Sequence, residues 1–413
     1  MPKAKSIYFD HSATTPVDAD VLKTMLPYFS ENFGNASSVH SFGQRAAQGA
    51  EAARLDAANF LHCNPDEVIF TSGSTEANNL ALFGMFKALR AKKPGAKLHL
   101  ITSVIEHDSI LEPVADLERS GVAVTYLPVD ARGVISVADL EKAIKDETVL
   151  VSIMYVNSEV GSIQPIKAAG KLIKKINERR LKDWNNKKPE ERGDKPDPIY
   201  FHTDATQAAN FLTCNVNELN LDFLSLSGHK IYGPKGVGLL FARKNTPLRA
   251  VQLGGHHENN RRSGTLNVAG AVGFGKALSK LTPEKQERAN RKIAAVRDLL
   301  ASGIFKLVPG AILNTDREIS TPSHAHFSFP GVEGESILIA LDLAGIAVST
   351  GSACASNSLK ASHVLVAMGI KVEVAHSSIR FSLGKDNTKE DVERLLKVLP
   401  QIIERFKKMS PLK

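Results

Sequence analysis

Short apolar runs alternate with helix-like patterns through about the first 260 residues of the chain. Seven runs are rich in β-branched and large apolar residues, and polar or glycine-containing segments bound them. The segments between them carry apolar residues at the spacing of one helix face. This alternation predicts an α/β fold with a mostly parallel sheet and helices on both of its faces. The predicted strands are 67–70, 98–102, 122–127, 149–154, 199–202, 223–226 and 238–241, and the predicted helices are 75–89, 109–120, 137–145 and 166–181.

A second pattern begins after Thr265. It predicts a long helix over 268–278 that continues through 284–301, then short strands, then a final helix over 389–408. Short strands and helices in this order are typical of a smaller α+β domain. We therefore predict two domains. The large domain is expected over 16–265, and the small domain over 1–15 together with 266–413.

One stretch, residues 182–198, follows neither pattern. Ten of its 17 residues are charged, five of each sign, and it contains three prolines and Trp184, the only tryptophan of the sequence. Such a composition does not supply enough apolar surface for a packed element. It predicts a solvated surface insertion, with a contact surface for a partner as the alternative.

The composition is that of an ordinary folded protein. Hydrophobic residues make up 43% and charged residues 23% of the 413 positions, which excludes a disordered or fibrous chain. The net charge of +8 comes from many small excesses and not from one basic block, so binding to DNA is not expected. The longest apolar run, 337–348, is interrupted by Asp342 and is too short to span a membrane.

The cysteines and the amino-terminal residues indicate in which cellular compartment the protein is expected. Three cysteines, Cys63, Cys214 and Cys354, contain no C-x-x-C pair, and an odd number of thiols suits a reducing environment. Residues 1–10 lack the apolar segment of a signal peptide. We therefore expect a cytoplasmic protein.

The most informative chemistry lies where two predicted strands end. The strand at 223–226 runs into a turn that contains Lys230, and the strand at 199–202 is followed by Asp204. A lysine in a glycine-rich turn is ordinarily a solvated residue. Open α/β sheets, however, bind ligands at the carboxyl ends of their strands, where this acid and this lysine are expected to meet. Lysine forms a Schiff base with pyridoxal 5′-phosphate and a carboxylate keeps its ring nitrogen protonated, so the pair favours that cofactor.

A phosphate site is expected at residues 71–76, Thr-Ser-Gly-Ser-Thr-Glu, between a predicted strand and a predicted helix. Hydroxyls and backbone N–H groups at a helix amino terminus bind phosphate well. The alternative is an ordinary helix cap formed by Ser74 or Thr75, with Glu76 in the first turn. The two interpretations are compatible.

Cys354 lies in a run of small polar residues, 349–358, that has no helix or strand periodicity. A free cysteine is most often a small buried residue, but a thiol in an exposed loop of this kind can react. Cys63 and Cys214 have less distinctive surroundings, and we expect both to be structural. The histidine pairs at 256–257 and at 324 and 326 lack the further ligands of a metal site, so no metal is expected.

Several further motifs follow one another along the chain. With them, the chain resembles the pyridoxal-phosphate-dependent cysteine desulfurases of the NifS/IscS type, which have the transferase fold type I and belong to the aminotransferase class V group. The resemblance covers nearly the whole chain, and so many motifs in one order make it specific. The motifs are IYFDHSATTP at 7–16, SVIEHD at 103–108, VNSEVG at 156–161, SGHKIYGPKG at 227–236, RSGT at 262–265, GSAC at 351–354 and HSSIRFSLG at 376–384.

The resemblance implies a role for each matching residue. Lys230 would form the Schiff base, and Asp204 would contact the ring nitrogen of the cofactor. Cys354 would be the catalytic thiol, and His107 would stack over the ring and assist proton transfer. Gln207 would contact the phenolic oxygen of the cofactor, and Asn157 would contact the cofactor and, with Arg380, position the substrate. The implied phosphate contacts are Ser74, Thr75, Ser227, His229 and, from the facing subunit of a homodimer, Thr265. Arg380 would clamp the substrate carboxylate through two parallel hydrogen bonds.

The implied reaction converts L-cysteine to L-alanine and leaves the sulfur on Cys354 as a persulfide. A sulfur acceptor protein, such as an iron–sulfur scaffold, would then receive it for the synthesis of iron–sulfur clusters and other sulfur-containing cofactors. One alternative is another fold type I enzyme, such as a selenocysteine lyase or an aminotransferase. A transaminase needs no second nucleophile, so Cys354 argues against it. A second alternative is an inactive subunit of a complex, which would have no reason to keep Lys230, Asp204 and Arg380 together.

Three features depart from the pattern of the family. Ala36 follows Asn35 where the family usually has proline, and the insertion at 182–198 is longer than the usual connection. The sequence ends at Lys413 without the tail by which the housekeeping branch reaches its scaffold protein. This last difference implies a closer likeness to the shorter, nitrogen-fixation-like branch.

Overall fold

The computed structural model describes residues 6–192, 195–351 and 361–409. The strands are β1 (Ile7–Tyr8), β2 (Val68–Thr71), β3 (His99–Ser103), β4 (Ala123–Leu127), β5 (Thr148–Ser152), β6 (Tyr200–Asp204), β7 (Phe223–Ser227), β8 (Gly238–Ala242), β9 (Ile312–Leu313), β10 (His324–Ser328), β11 (Ile346–Ala347) and β12 (Ser378–Ser382). The helices are α1 (Ala19–Met25), α2 (Pro27–Ser30), α3 (Ser41–Leu61), α4 (Ser74–Lys92), α5 (Asp108–Arg119), α6 (Val137–Ala143), α7 (Ile166–Asn186), α8 (Val216–Leu219), α9 (Val268–Ser279), α10 (Pro283–Leu307), α11 (Gly334–Leu343), α12 (His363–Ala367), α13 (Val372–Ala375) and α14 (Lys389–Met409).

The large sheet has the order β2-β8-β7-β6-β5-β3-β4. Strands β4, β3, β5, β6 and β7 run parallel to one another, and β8 is antiparallel to both of its neighbours. Each strand predicted from the apolar runs is present, so the mostly parallel sheet is confirmed. Because β6 and β7 are parallel neighbours, their carboxyl ends lie side by side at one edge.

Successive residues of the strands point into hydrophobic cores on opposite faces of this sheet. Phe70 and Val151 belong to one core, whereas their chain neighbours Ile69 and Leu150 belong to the other. Helices cover both faces, and for this reason the strands read as continuous apolar runs and not as an alternation of apolar and polar residues.

A smaller antiparallel sheet of β12, β10 and β9 forms a separate core with α10, α11 and α14. The amino-terminal residues Ile7 and Phe9 pack into this core, and β1 pairs with β11. Residues 7–9 therefore pack with the carboxyl-terminal part of the chain. The domain boundary expected after residue 265 stays a prediction.

The expectation of one continuous helix after residue 268 was wrong. Helix α9 ends at Ser279, and α10 begins at Pro283. Proline lacks the N–H that the interior of a helix needs, so it interrupts a helix but is tolerated at the first helical position. Helix α9 packs closely on α3: a Cβ atom on Gly275 would lie 2.6 Å from Ala53 Cα. Its Phe274 contributes to a core of the large sheet.

The described part of 182–198 lies at the surface, as predicted, although α7 continues into it as far as Asn186. The Arg192 guanidinium lies 5.2 Å from the centre of the Trp184 ring. Asp197 forms ion pairs with Lys92 at 3.3 Å and with Lys93 at 3.0 Å, which attach the end of the segment to the carboxyl end of α4. Within the described ranges, no helix has the combined length and apolar character that crossing a membrane requires.

Candidate active site

Lys230 lies in a short turn that follows β7 at the carboxyl edge of the sheet. The turn begins at Gly228, where a Cβ atom would lie 2.8 Å from the carbonyl oxygen of Pro234. Lys230 Nζ donates to the backbone oxygens of Ser12 and Ala13, at 2.5 and 2.8 Å. The amine is therefore held against the amino-terminal segment of the chain.

Asp204 is the last residue of β6, the parallel neighbour of β7. Its side chain is buried and accepts one hydrogen bond on each oxygen, from the backbone N–H of Thr206 at 2.9 Å and from Asn78 Nδ2 at 2.8 Å. Thr206 Oγ1 is buried, and no described residue gives it a hydrogen-bond partner. The structure thus brings Asp204 and Lys230 to the same edge of the sheet.

Gln207 reaches the same backbone oxygen as Lys230. Its Nε2 donates to Ser12 O at 2.9 Å, and the Ser12 hydroxyl donates to Ser158 O at 2.8 Å. Ser12 therefore joins three parts of the site through its backbone and its side chain. Ser12 lies within the first motif, but its role could not be predicted, because a backbone acceptor has no sequence signature.

Arg380 approaches this segment from β12. Its Nη2 donates to Asp10 Oδ1 at 2.9 Å, and its Nη1 donates to Ser158 O at 3.1 Å. Its Nε–H is buried and has no acceptor among the described residues. A guanidinium with an unused N–H in a polar site can bind a further oxygen, such as that of a carboxylate.

Asn157 holds the turn in which it lies. Its Oδ1 accepts the backbone N–H groups of Glu159 and Val160 at 2.9 and 3.0 Å, and its Nδ2 donates to Ile105 O at 3.1 Å. These bonds fix the loop that leads to His107. The contacts of Asn157 with cofactor and substrate stay predictions.

Ser74 and Thr75 are the first two residues of α4. The capping residue is Gly73, and in the described part of the chain no side-chain hydrogen bond caps this helix, so the alternative of a cap formed by Ser74 or Thr75 was wrong. Ser227 borders the same helix end, since its Oγ lies 3.7 Å from the position of a Cβ atom on Gly73. An uncapped helix amino terminus with hydroxyls around it is a favourable place for a phosphate.

His229 and Thr265, the other expected phosphate ligands, have different surroundings. His229 Nδ1 lies 3.1 Å from Thr14 Oγ1. Burial lowers the pKa of His229 to about 4, and the neighbouring charges of Lys230 and Lys235 act in the same direction. Its ring is therefore neutral near pH 7. Thr265 is exposed, and its contribution to the site of a facing subunit stays a prediction.

His107 caps the amino terminus of α5, because its Nδ1 accepts the backbone N–H of Ser109 at 3.0 Å. Glu106, the residue before it, is 1% exposed. The Glu106 carboxyl accepts from Ser103 Oγ at 2.6 Å and from the backbone N–H of Met154 at 2.9 Å. This acid therefore ties the loop that carries His107 to the end of β5.

Cys354 lies outside the described residues, but the chain on either side of it is placed. Before it, the backbone N–H of Arg380 donates to Ser349 O at 2.7 Å. After it, Ser362 Oγ donates to Glu159 Oε2 at 2.5 Å. The described chain on both sides of Cys354 thus lies next to residues of the site.

The burial of Glu106 predicts a dependence of stability on pH. Burial raises the pKa of Glu106 to about 8, so the folded state keeps a proton that the unfolded state releases near pH 4.5. Raising the pH through this window therefore lowers the free energy of unfolding. Glu106→Gln removes the titrating group. Between pH 5.5 and 8, the free energy of unfolding of the variant should therefore rise by roughly 1–3 kcal/mol relative to that of the native protein, since one pKa unit corresponds to about 1.4 kcal/mol.

Urea unfolding at several pH values, without added cofactor, measures this effect. Glu141→Gln is the control, because Glu141 is exposed and should keep the native pH dependence. Parallel curves for native protein and Glu106→Gln would contradict the prediction.

The histidine pairs of the sequence do not form a metal site in the described part of the chain. Within the described ranges, no group of three or more His, Cys, Asp or Glu side chains is placed to hold a metal ion. His324 and His326 bond to neighbouring polar side chains instead: His324 Nδ1 lies 2.9 Å from Thr321 Oγ1, and His326 Nδ1 lies 3.0 Å from Asn314 Nδ2.

Comparison with known proteins gives consistent matches over nearly the whole chain. The family described as aminotransferase class-V matches residues 7–182 and 194–395. A protein of Dictyoglomus turgidum named cysteine desulfurase IscS is 44% identical over 409 residues, which cover 99% of this chain and 97% of the relative. A protein of the same name from Methanosarcina thermophila is 44% identical over 408 residues, covering 99% of this chain and 94% of the relative.

Solved structures give the same result. A structure described as a NifS-like protein superimposes with a TM-score of 0.85 at 36% identity, covering 97% of this chain and 100% of the other. A structure described as SspA in complex with cysteine has a TM-score of 0.77 at 33% identity, covering 93% of this chain and 100% of the other. The chain is thus similar to these proteins in sequence and in fold.

Proposed function

Because the chain belongs to the aminotransferase class-V family, we propose that it is a pyridoxal-phosphate-dependent cysteine desulfurase, which takes sulfur from L-cysteine and leaves L-alanine. The observation that carries the proposal is the meeting of three groups around residues 10–13. The Lys230 amine and the Gln207 amide share the Ser12 oxygen, and Arg380 is held on Asp10.

The described residues fit pyridoxal 5′-phosphate. An amine and a buried carboxylate lie at the same sheet edge, and the end of α4, where the capping residue is a glycine, offers backbone N–H groups for a phosphate. When bound, the cofactor withdraws electrons from the α-carbon of an amino acid. Lys230 would hold its aldehyde carbon, Asp204 its ring nitrogen, Gln207 its phenolic oxygen, His107 its ring face, and Ser74, Thr75, Ser227, His229 and the Thr265 of a facing subunit its phosphate.

Arg380 orients the substrate. Two of its nitrogens are already held by Asp10 and Ser158, so the guanidinium is fixed before the substrate arrives. The buried Nε–H then donates to the carboxylate of L-cysteine, and a second N–H of the same group completes a two-point contact. A preoriented clamp loses little conformational entropy on binding. Asn157 supports the adjoining loop.

Two residues carry the bond changes. The Lys230 amine removes the proton from the α-carbon of the substrate. The Cys354 thiolate attacks the substrate sulfur, so that an S–S bond forms, the C–S bond breaks, and the electron pair of that bond stays with the carbon until protonation gives alanine. The net change is L-cysteine plus the Cys354 thiol to L-alanine plus the Cys354 persulfide, which balances without an external oxidant.

The enzyme works as a homodimer with a shared site. Six large apolar side chains on and near α1, α2 and the start of α3 are between 45% and 90% exposed in the single chain. Exposed apolar faces of this kind are typical of subunit interfaces. The side chains are Leu22, Leu26, Phe29, Phe33, Val39 and Phe42.

The persulfide then passes to an acceptor protein in the cytoplasm. The persulfide sulfur has to leave the enzyme before a biosynthetic pathway can use it, so a carrier or an iron–sulfur scaffold must receive it. The cysteine pattern, without a C-x-x-C pair, supports a reducing compartment. The transferred sulfur serves the synthesis of iron–sulfur clusters and of other sulfur-containing cofactors.

Product analysis tests the function. Purified protein with pyridoxal 5′-phosphate, L-cysteine and a dithiol reductant should release alanine and sulfide in equal amounts. Production of a keto acid that depends on an added amino acceptor would indicate an aminotransferase. Activity confined to selenocysteine would indicate a selenocysteine lyase, and no turnover of either substrate would indicate an inactive subunit.

The role of Arg380 gives a prediction for substrate affinity. Arg380→Lys keeps the positive charge but loses the planar two-point contact, so the KM for L-cysteine should rise by about 10- to 100-fold with a smaller change in kcat. Steady-state kinetics at saturating cofactor measure both constants. Arg297→Lys is the matched control, since Arg297 is also buried and paired with an aspartate, at 2.9 Å. An unchanged KM in Arg380→Lys would contradict the assignment.

A further inference from the structure

A chain of hydrogen bonds runs from His107 to Asp204 through two buried polar side chains. Asn78 Nδ2 lies 2.8 Å from Asp204 Oδ2 and 2.9 Å from Ser109 Oγ. Ser109 Oγ in turn lies 2.9 Å from His107 Nδ1. Asn78 has no exposed surface. These hydrogen bonds connect α4, the start of α5 and the end of β6.

The donor and the acceptor of each bond follow from the side chains. The amide nitrogen of Asn78 carries two hydrogens and accepts none, so Asn78 donates in both contacts. The reverse orientation would place the amide oxygen against the Asp204 carboxylate, where two acceptors repel. Ser109 Oγ therefore accepts from Asn78, and its own hydrogen is directed to His107 Nδ1. The backbone N–H of Ser109 donates to the same nitrogen at 3.0 Å.

Two donors at His107 Nδ1 leave that nitrogen without a hydrogen of its own. A neutral imidazole has one N–H, which in His107 must then be on Nε2. A neutral histidine in this state can donate a hydrogen bond through Nε2 but cannot accept a proton there.

We propose that Asn78 is a positioning residue that orients Asp204 and His107 together, so that neutral His107 keeps its hydrogen on Nε2 and presents a hydrogen-bond donor there. The inference rests on the proposed function, because it takes His107 and Asp204 as cofactor contacts. Asn78 lies on the buried face of α4, and its Oδ1 has no hydrogen-bond partner among the described residues. Burying an amide lowers the stability of the fold unless the amide forms hydrogen bonds. The two hydrogen bonds that Asn78 Nδ2 donates offset this cost.

Asn78→Asp is the sharpest test, because it keeps the side-chain shape and replaces the two donors with acceptors. The Ser109 hydroxyl would turn toward the new carboxylate, and His107 Nδ1 would lose one of its donors. We expect the share of His107 with a hydrogen on Nδ1 at pH 7 to increase severalfold. The measurement is the ring nitrogen spectrum of histidine-labelled protein without cofactor, assigned with His107→Gln.

Two further variants complete the test. Asn79→Asp is the matched control: it adds the same charge one residue later on α4, outside the chain of hydrogen bonds, where the native amide donates to Thr75 O, and it should leave the hydrogen of His107 on Nε2. Ser109→Ala removes the hydroxyl without adding charge and keeps the backbone N–H, so it should change the spectrum in the same direction by less. It also serves if Asn78→Asp does not fold. In Asn78→Asp, the Kd of pyridoxal 5′-phosphate should rise by about tenfold, as expected for one lost hydrogen bond to a charged group.

A native His107 spectrum in every folded variant of Asn78 and Ser109 overturns the proposal. The spectrum is recorded without cofactor or substrate, so it is independent of the reaction. Failure of the proposed function would appear separately, as native protein that makes no alanine from L-cysteine.

Discussion

Replacing Lys230 with alanine should lower the turnover of L-cysteine by at least about 10³-fold, because the variant loses both the covalent anchor of the cofactor and the base at the α-carbon. The native amine is bonded to two backbone oxygens of the amino-terminal segment, which hold it at the sheet edge. Alanine and sulfide assays measure the loss. The fold should survive, since the removed side chain is only half-buried.

Borohydride reduction gives a second readout that does not depend on turnover. The native protein should gain the mass of the cofactor on a peptide that contains Lys230, and Lys230→Ala should gain none. Lys235→Ala is the control, because Lys235 is an exposed lysine in the same glycine-rich stretch and should leave both labelling and turnover intact. Covalent labelling of Lys230→Ala to the native level would show that the cofactor is anchored elsewhere.

The sheet could be predicted from the sequence for a physical reason. Each central strand is covered on both faces, so its residues are apolar without interruption, and strand ends coincide with polar or glycine residues. The same reasoning placed Lys230 and Asp204 at one edge, because each follows a strand and the two strands are parallel neighbours. It failed at Pro283, where apolar spacing on both sides suggested one helix although proline starts a new one.

The partners of buried polar groups were out of reach of pattern reasoning. Asn78 and Asp204 are 126 residues apart in the sequence, and Glu159 and Ser362 are 203 residues apart. Each pairing depends on how distant elements pack, which periodicity does not contain. One signal was present: Asn78 is a polar residue at a position of α4 where helical spacing calls for an apolar one.

Replacing Cys354 with alanine should abolish the release of alanine and sulfide, with a loss of at least about 10³-fold, while the protein still binds its cofactor. The two described cysteines do not supply an alternative nucleophile. Burial raises the pKa values of Cys63 and Cys214 to about 12 each, so both remain thiols near neutral pH, and the thiolate is the reactive form. An attack on sulfur therefore requires a third cysteine.

The measurement that separates this role from a structural one is the persulfide itself. After one turnover without reductant, alkylation and mass spectrometry should find one extra sulfur on the peptide that contains Cys354 in native protein, and none in Cys354→Ser. Cys63→Ala should retain the modification and the turnover. If Cys354→Ala still converted L-cysteine to alanine and sulfide, the sulfur would have to leave without an enzyme nucleophile. The two cysteines whose burial keeps them protonated could not explain that activity, so the sulfur chemistry would have to be assigned to a different kind of site.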